Sequence, residues 1–148
     1  MTDQAIQPRV AIAGVSLRAL LMPFPIACFT GALLTDITYA QTAVIQWANF
    51  SAWLLAFGML TGGIAFLLGL IDLFLADRYA RTAFVWAQLG VSVGVLAVAL
   101  VNNFVHARDG WTSVVPTGLT LSVVTVLLMI LSGVLGQIAV RRAEGGRS

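Results

Sequence analysis

Four long apolar runs occupy most of this 148-residue chain, and they decide which solvent it folds in. The shortest run, 20–40, holds 21 residues, which as a helix cover roughly 31 Å, the thickness of a bilayer's hydrocarbon core. A water-soluble globule is ruled out, because 59% hydrophobic and 9% charged residues leave too few polar side chains to cover its surface. The sequence therefore predicts an all-α integral membrane four-helix bundle, with spans at about 20–40, 52–76, 83–105 and 116–140.

The length allows one domain, and no link between the apolar runs is long enough to bury a core of its own. We expect an interfacial N-terminal segment at 1–17, a four-helix domain at 18–142 and a short cytoplasmic tail at 143–148. The first apolar run is too long for the core of a signal peptide, so we interpret it as a retained span.

The arginines predict the orientation of the bundle. With four spans, both termini and the middle link share one side, and that side carries seven of the eight basic residues: Arg9, Arg18, Arg78, Arg81, Arg141, Arg142 and Arg147. Only Arg108 falls on the other side. The positive-inside rule then places both termini in the cytoplasm of a bacterium with the chain in its inner membrane. Arginines at helix ends are typical of topology signals, so we expect no nucleic-acid partner.

The prolines predict where a helix is irregular, and the glycines predict where helices pack closely. Pro23 and Pro25 remove two backbone donors, which predicts an irregular start to the first helix and regular helix from about Ile26. Small residues at helical spacing predict close packing faces: Gly58, Gly62, Gly69, Gly90, Gly94, Gly133 and Gly136. Such faces hold helices together in lipid, either within this chain or against another subunit, and both alternatives stay open.

Ionisable residues inside a membrane are costly and therefore informative. We predict an ion pair between Arg18 and Asp72 at the cytoplasmic end of the first two helices. At the other end we predict a polar cluster formed by Asp36, Asn102, Asn103 and His106. Two alternatives stay open: the cluster is a candidate contact for a small ligand or a partner, or Asp36 is satisfied by hydrogen bonds from Thr35, Thr38 and the two asparagines. The central turns of all four spans carry no charge, which argues against an ion or proton pump.

The sequence contains no recognisable catalytic or metal-binding motif. A haem held between two helices usually takes two axial ligands, and one histidine cannot supply both. We find no Ser/His/Asp set, phosphate loop or zinc cluster, and we expect neither enzyme activity nor a bound metal or cofactor, with a quinone or a lipid left open.

Several short motifs resemble a known family. The run Leu21-Met22-Pro23-Phe24-Pro25-Ile26 precedes a helix ending in Leu34-Thr35-Asp36, and Gly62–Asp72 and Ser132–Gly136 follow in the second and last helices. Over roughly residues 15–142 the chain resembles the four-helix bacterial membrane proteins of domain of unknown function 2231. Members are found beside or fused to redox modules, such as Rieske-type or quinoprotein sugar-dehydrogenase-like proteins. The resemblance therefore implies an anchor or accessory subunit of an electron-transfer enzyme.

This chain departs from the family pattern in one respect. Members usually carry histidines before the proline motif and at the start of the third helix, where this chain has residues such as Val15, Arg18 and Trp86. We therefore favour a non-catalytic membrane subunit that binds membrane lipids and packs against other subunits of a larger redox or energy-converting complex. An intramembrane quinone or lipid site is the alternative, and a small transporter or channel is the third.

Overall fold

The protein is a bundle of four membrane-length helices, as the sequence predicts. The computed structural model describes residues 11–12, 15–75, 83–108 and 114–145. Two paired antiparallel strands of two residues each, β1 (Ala11–Ile12) and β2 (Val15–Ser16), precede the short helix α1 (Leu17–Leu21). The long helices are α2 (Pro23–Thr42), α3 (Ile45–Leu75), α4 (Ala83–His106) and α5 (Leu119–Gly145). A kinked segment, Val114–Gly118, precedes α5, and its Val115 has extended dihedral angles (φ −111°, ψ 130°). The all-α membrane bundle is thereby confirmed.

The helices are long enough to cross a bilayer with turns to spare. The shortest of the four spanning segments, α4, has 24 residues and measures roughly 36 Å. Helix α3 begins at Ile45 rather than near Ala52, where the apolar run starts. Residues 45–51 contain neither glycine nor proline, so the helix continues beyond the apolar run. The link from α2 is consequently only Ala43 and Val44, and left-handed Ala43 ends α2 by donating its N–H to the Tyr39 carbonyl at 2.8 Å.

The proline motif interrupts the first span at a single residue, Met22. Regular helix resumes at Pro23, not at about Ile26 as the two prolines predicted. The reason is position: both prolines fall in the first turn of α2, where backbone N–H groups have no partner inside the helix anyway. Met22 itself keeps helical dihedral angles (φ −56°, ψ −35°) and donates its N–H to the Arg18 carbonyl at 3.0 Å.

Each long helix packs against two neighbours, so that α2, α3, α4 and α5 form a closed ring. Two side-chain hydrogen bonds fix the register of α4 against α5. The Asn102 amide donates to the Ser122 hydroxyl, and the Ser92 and Ser132 hydroxyls bond to each other. Ten residues back along α4 thus correspond to ten residues forward along α5, which is an antiparallel pairing. We call the end of the bundle that carries Arg18 the arginine end, and the end that carries His106 the histidine end.

Most of the glycines predicted to form packing faces lie against a side chain of a neighbouring helix. A Cβ on Gly58 would lie 2.6 Å from the Phe29 ring, and one on Gly136 would lie 2.8 Å from the Gln88 amide. The other contacts are of Gly62 with Pro25 and Leu96, of Gly69 with Arg18, and of Gly94 with Leu128. Gly90 and Gly133 have no such atom within 4 Å. Packing inside the chain therefore uses five of these glycines and leaves two open.

Candidate functional site

Four polar side chains meet in the interior of the bundle towards the histidine end. Asp36 comes from α2, Asn102 and His106 from α4, and Ser122 from α5. All four are buried, with exposures of 0% for Asp36 and Asn102, 1% for Ser122 and 7% for His106. We call these four residues the buried quartet.

Hydrogen bonds join the quartet into one closed chain. The Asn102 amide Nδ2 donates to Ser122 Oγ at 2.8 Å, and Ser122 Oγ donates to Asp36 Oδ2 at 2.5 Å. The other carboxylate oxygen, Oδ1, lies 2.9 Å from His106 Nε2. The second ring nitrogen, Nδ1, lies 3.0 Å from the Asn102 backbone carbonyl, so the chain of bonds returns to the residue where it started. Three of the four long helices are tied together in this way.

The hydrogen-bonding pattern determines how many protons Asp36 and His106 carry between them. A carbonyl oxygen only accepts, so His106 Nδ1 carries a hydrogen. One further proton lies between Asp36 Oδ1 and His106 Nε2, since two bare acceptors would repel each other at 2.9 Å. Whether that proton sits on oxygen or nitrogen, the pair has no net charge. The Asp36–His106 pair therefore adds no uncompensated charge within the membrane.

The quartet agrees with the predicted polar cluster in three residues and differs in two. Asn103 lies outside it, because adjacent helix positions point about 100° apart, and its amide donates to the Ala99 carbonyl at 3.2 Å instead. Ser122 belongs to it but was not predicted. A serine in an apolar helix commonly bonds its own backbone, so the sequence carried no signal that this one reaches a carboxylate.

The order of bonds in the quartet does not activate a nucleophile. In a Ser–His–Asp arrangement the imidazole takes the proton of the serine hydroxyl. Here the Ser122 hydroxyl bonds to the carboxylate, and the imidazole lies on the far side of Asp36. In the part of the chain that the structure describes, no three His, Cys, Asp or Glu side chains are grouped to hold a metal ion. The quartet is therefore a polar crosslink between helices.

A cavity of about 160 Å³ lies between the helices, nearer the arginine end. Its walls are mostly apolar and include Met22, Pro25, Phe29, Leu96 and Met129. Its polar side chains are Arg18, Gln88, Ser92 and Ser132. Three exposed lining residues, Met22 just before α2, Ile26 on α2 and Gly133 on α5, place an opening to the lipid between α2 and α5.

The predicted ion pair between Arg18 and Asp72 is not formed. The Arg18 guanidinium lies over Gly69, where its Cζ and Nε come within 2.9 Å of the position that a Cβ would take. No carboxylate among the described residues lies within 4.0 Å of it, since the only side-chain ion pair they contain joins His106 and Asp36. The notch left by glycine admits the guanidinium, whereas a partly exposed ion pair contributes only about 0–1 kcal/mol and does not override that fit.

Four apolar helices of membrane length define a multi-pass α-helical membrane protein. Residues 14–147 match the family described as "Predicted membrane protein (DUF2231)", and the chain belongs to that family. The resemblance of the proline and glycine motifs is thereby confirmed. No curated protein and no solved structure matches the chain. Of the predicted features, residues 1–10, Arg78, Arg81 and residues 146–148 lie outside the described parts of the structure.

Proposed function

We propose that the protein binds a lipid-soluble molecule in the cavity between its helices. The cavity itself carries this proposal, since apolar walls with a few polar groups at one end are typical of small-molecule sites. Its volume of about 160 Å³ compares with the engineered cavity of about 150 Å³ that takes up benzene. One ring or a few methylene groups therefore fit inside, while the rest of the ligand extends through the opening into the bilayer. A quinone and a lipid both have this form.

Filling the mouth of the cavity tests the proposal. Gly133 lines the cavity and has no neighbouring atom within 4 Å of its Cβ position, so Gly133→Leu adds bulk without a backbone clash. Gly90→Leu is the matched control, because Gly90 is equally open but does not line the cavity. Ligands retained after purification are identified by native mass spectrometry of the protein released from nanodiscs.

We expect the wild type and Gly90→Leu to retain one lipophile per chain. Gly133→Leu should retain it at least about tenfold less, equivalent to about 1.4 kcal/mol of binding free energy. Absence of any bound molecule from the wild type, or equal retention by both leucine variants, contradicts the proposal.

A role as accessory subunit of a larger membrane complex is the second candidate. It is supported by Gly90, which is exposed on α4 and leaves a patch of backbone that a helix of another protein can approach closely. A redox or energy-converting partner is what the motif resemblance implies. Purification of the tagged chain at native expression should recover partner subunits with the wild type and fewer with Gly90→Leu. Recovery of a lone monomer counts against this candidate.

For the orientation, we propose that both termini face the cytoplasm of a bacterial cell. The described arginines support it, since Arg18, Arg141 and Arg142 lie at one end of the bundle and only Arg108 lies at the other. With Cys28 replaced by alanine, a membrane-impermeant maleimide added to whole cells should label Ala107→Cys and not Ser16→Cys. The reverse pattern contradicts the orientation.

The bonding order of the quartet favours binding over catalysis as the activity of this chain.

A further inference from the structure

We infer that the ligand of this cavity has an anionic oxygen head group, a phosphate or a carboxylate, which binds the Arg18 guanidinium. The inference rests on the proposed function, because it names the chemistry of the molecule that occupies the cavity.

The first argument is that the N–H donors of Arg18 are paired with no acceptor among the described residues. An arginine carries a permanent positive charge and five N–H donors, and partly buried ones are normally paired. Arg18 is half-buried and lines the cavity, yet it forms no ion pair or side-chain hydrogen bond with any described residue. The guanidinium occupies the space that a Cβ on Gly69 would fill, so it packs against α3 without being neutralised.

The second argument comes from the part of the cavity wall that α4 provides. The Gln88 amide lies over Gly136 on α5, and among the described residues it has no hydrogen-bond partner either. Close by, Ser92 and Ser132 bond to each other at 2.9 Å. The arginine end of the cavity thus combines one uncompensated cation with a free amide, and these groups suit a head group rich in acceptor oxygens.

Charge distinguishes the ligand classes. A neutral quinone offers carbonyl acceptors but leaves the Arg18 charge uncompensated in an apolar cavity, which is unfavourable. A phosphate or a carboxylate supplies the opposite charge and also matches the planar fork of the guanidinium with two parallel hydrogen bonds. Arg18 lies in the first turn of the first membrane-spanning segment, at the depth where lipid head groups are found. An anionic lipid entering between α2 and α5 therefore fits the site best.

The test compares two arginines in the same membrane. Arg18→Gln removes the cavity cation, and Arg141→Gln removes an exposed arginine at the same end of the bundle that does not line this cavity. Each variant is placed in nanodiscs of phosphatidylcholine with a minor fraction of phosphatidylglycerol, and the lipid retained on release is quantified by native mass spectrometry. Arg18→Lys keeps the charge but not the fork, and thermal unfolding verifies that each variant is folded.

We expect the wild type and Arg141→Gln to retain one phosphatidylglycerol within twofold of each other. Arg18→Gln should retain at least tenfold less, and Arg18→Lys should fall between. Inorganic phosphate that competes with the lipid supports the same anion chemistry, and phosphate bound in the absence of any lipid identifies the free anion as the source. Equal losses in Arg18→Gln and Arg141→Gln mean general attraction to the membrane surface and overturn the inference. Retention of a neutral lipophile by wild type and Arg18→Gln alike also overturns it, but leaves the proposed function standing.

Discussion

Replacing Asp36 by leucine should destabilise the bundle by breaking the quartet at its centre. The substitution leaves His106 Nε2 without a partner and the Ser122 hydroxyl hydrogen without an acceptor, although Ser122 Oγ still accepts from the Asn102 amide. A buried polar group left unpaired costs about 1–3 kcal/mol in soluble proteins. Hydrogen bonds between membrane helices average about 0.6 and reach about 1.7 kcal/mol, because the unfolded chain in the membrane finds other partners. The second scale applies here, and two lost bonds then reduce the free energy of unfolding by roughly 1–3 kcal/mol.

Asp36→Asn is the variant that tests the reasoning, because it has nearly the same shape but carries no charge. Its amide oxygen accepts from the Ser122 hydroxyl, and its amide nitrogen donates to His106 Nε2, while His106 Nδ1 continues to donate to the Asn102 carbonyl. Every bond of the quartet is thus retained. We expect a loss smaller than about 0.6 kcal/mol, the average of one bond between membrane helices.

Reversible unfolding in mixed micelles, driven by sodium dodecyl sulfate and followed by circular dichroism, measures these differences. Thr38→Val serves as the control on the same helix. Among the described residues the Thr38 hydroxyl bonds only the Leu34 carbonyl of its own helix, at 2.8 Å, so this substitution should destabilise the protein less than Asp36→Leu. If Asp36→Asn destabilises the protein as much as Asp36→Leu, a carboxylate charge rather than the set of bonds holds the quartet. If neither variant has an effect, the quartet does not stabilise the bundle.

Two further predictions concern helix packing. Gly58→Ala places a methyl group 2.6 Å from the Phe29 ring and should lower the free energy of unfolding by about 1–3 kcal/mol. The control Gly90→Ala meets no atom within 4 Å and should leave that free energy unchanged, so equal effects of the two substitutions contradict this account. Because the Ser92 and Ser132 hydroxyls are 2.9 Å apart, oxidation should crosslink Ser92→Cys with Ser132→Cys in a Cys28→Ala background, detected by a shift in gel mobility. Pairing Ser92→Cys with Thr125→Cys, two helical turns away, should not crosslink, and a crosslink there would mean a different register.

Much of the fold follows from properties that are local along the chain. The lengths of the apolar runs, the proline motif and the one-sided arginines suffice to predict four spans, because a helix in lipid satisfies its own backbone hydrogen bonds. The same local signals predicted that Asp36, Asn102 and His106 lie near one end of the bundle, since their depth can be counted from the span ends.

The partners of these residues depend on how the helices are rotated and in which register they pack. Those quantities are set by contacts far apart in sequence, such as the Phe29 ring over Gly58 and the Ser92 hydroxyl against Ser132. Only the tertiary structure could therefore bring Ser122 to the carboxylate, turn Asn103 away, lay Arg18 over Gly69 instead of beside Asp72 and leave a cavity at its side. Helix formation in a membrane is determined by each segment alone, whereas a site between helices exists only once all four have packed.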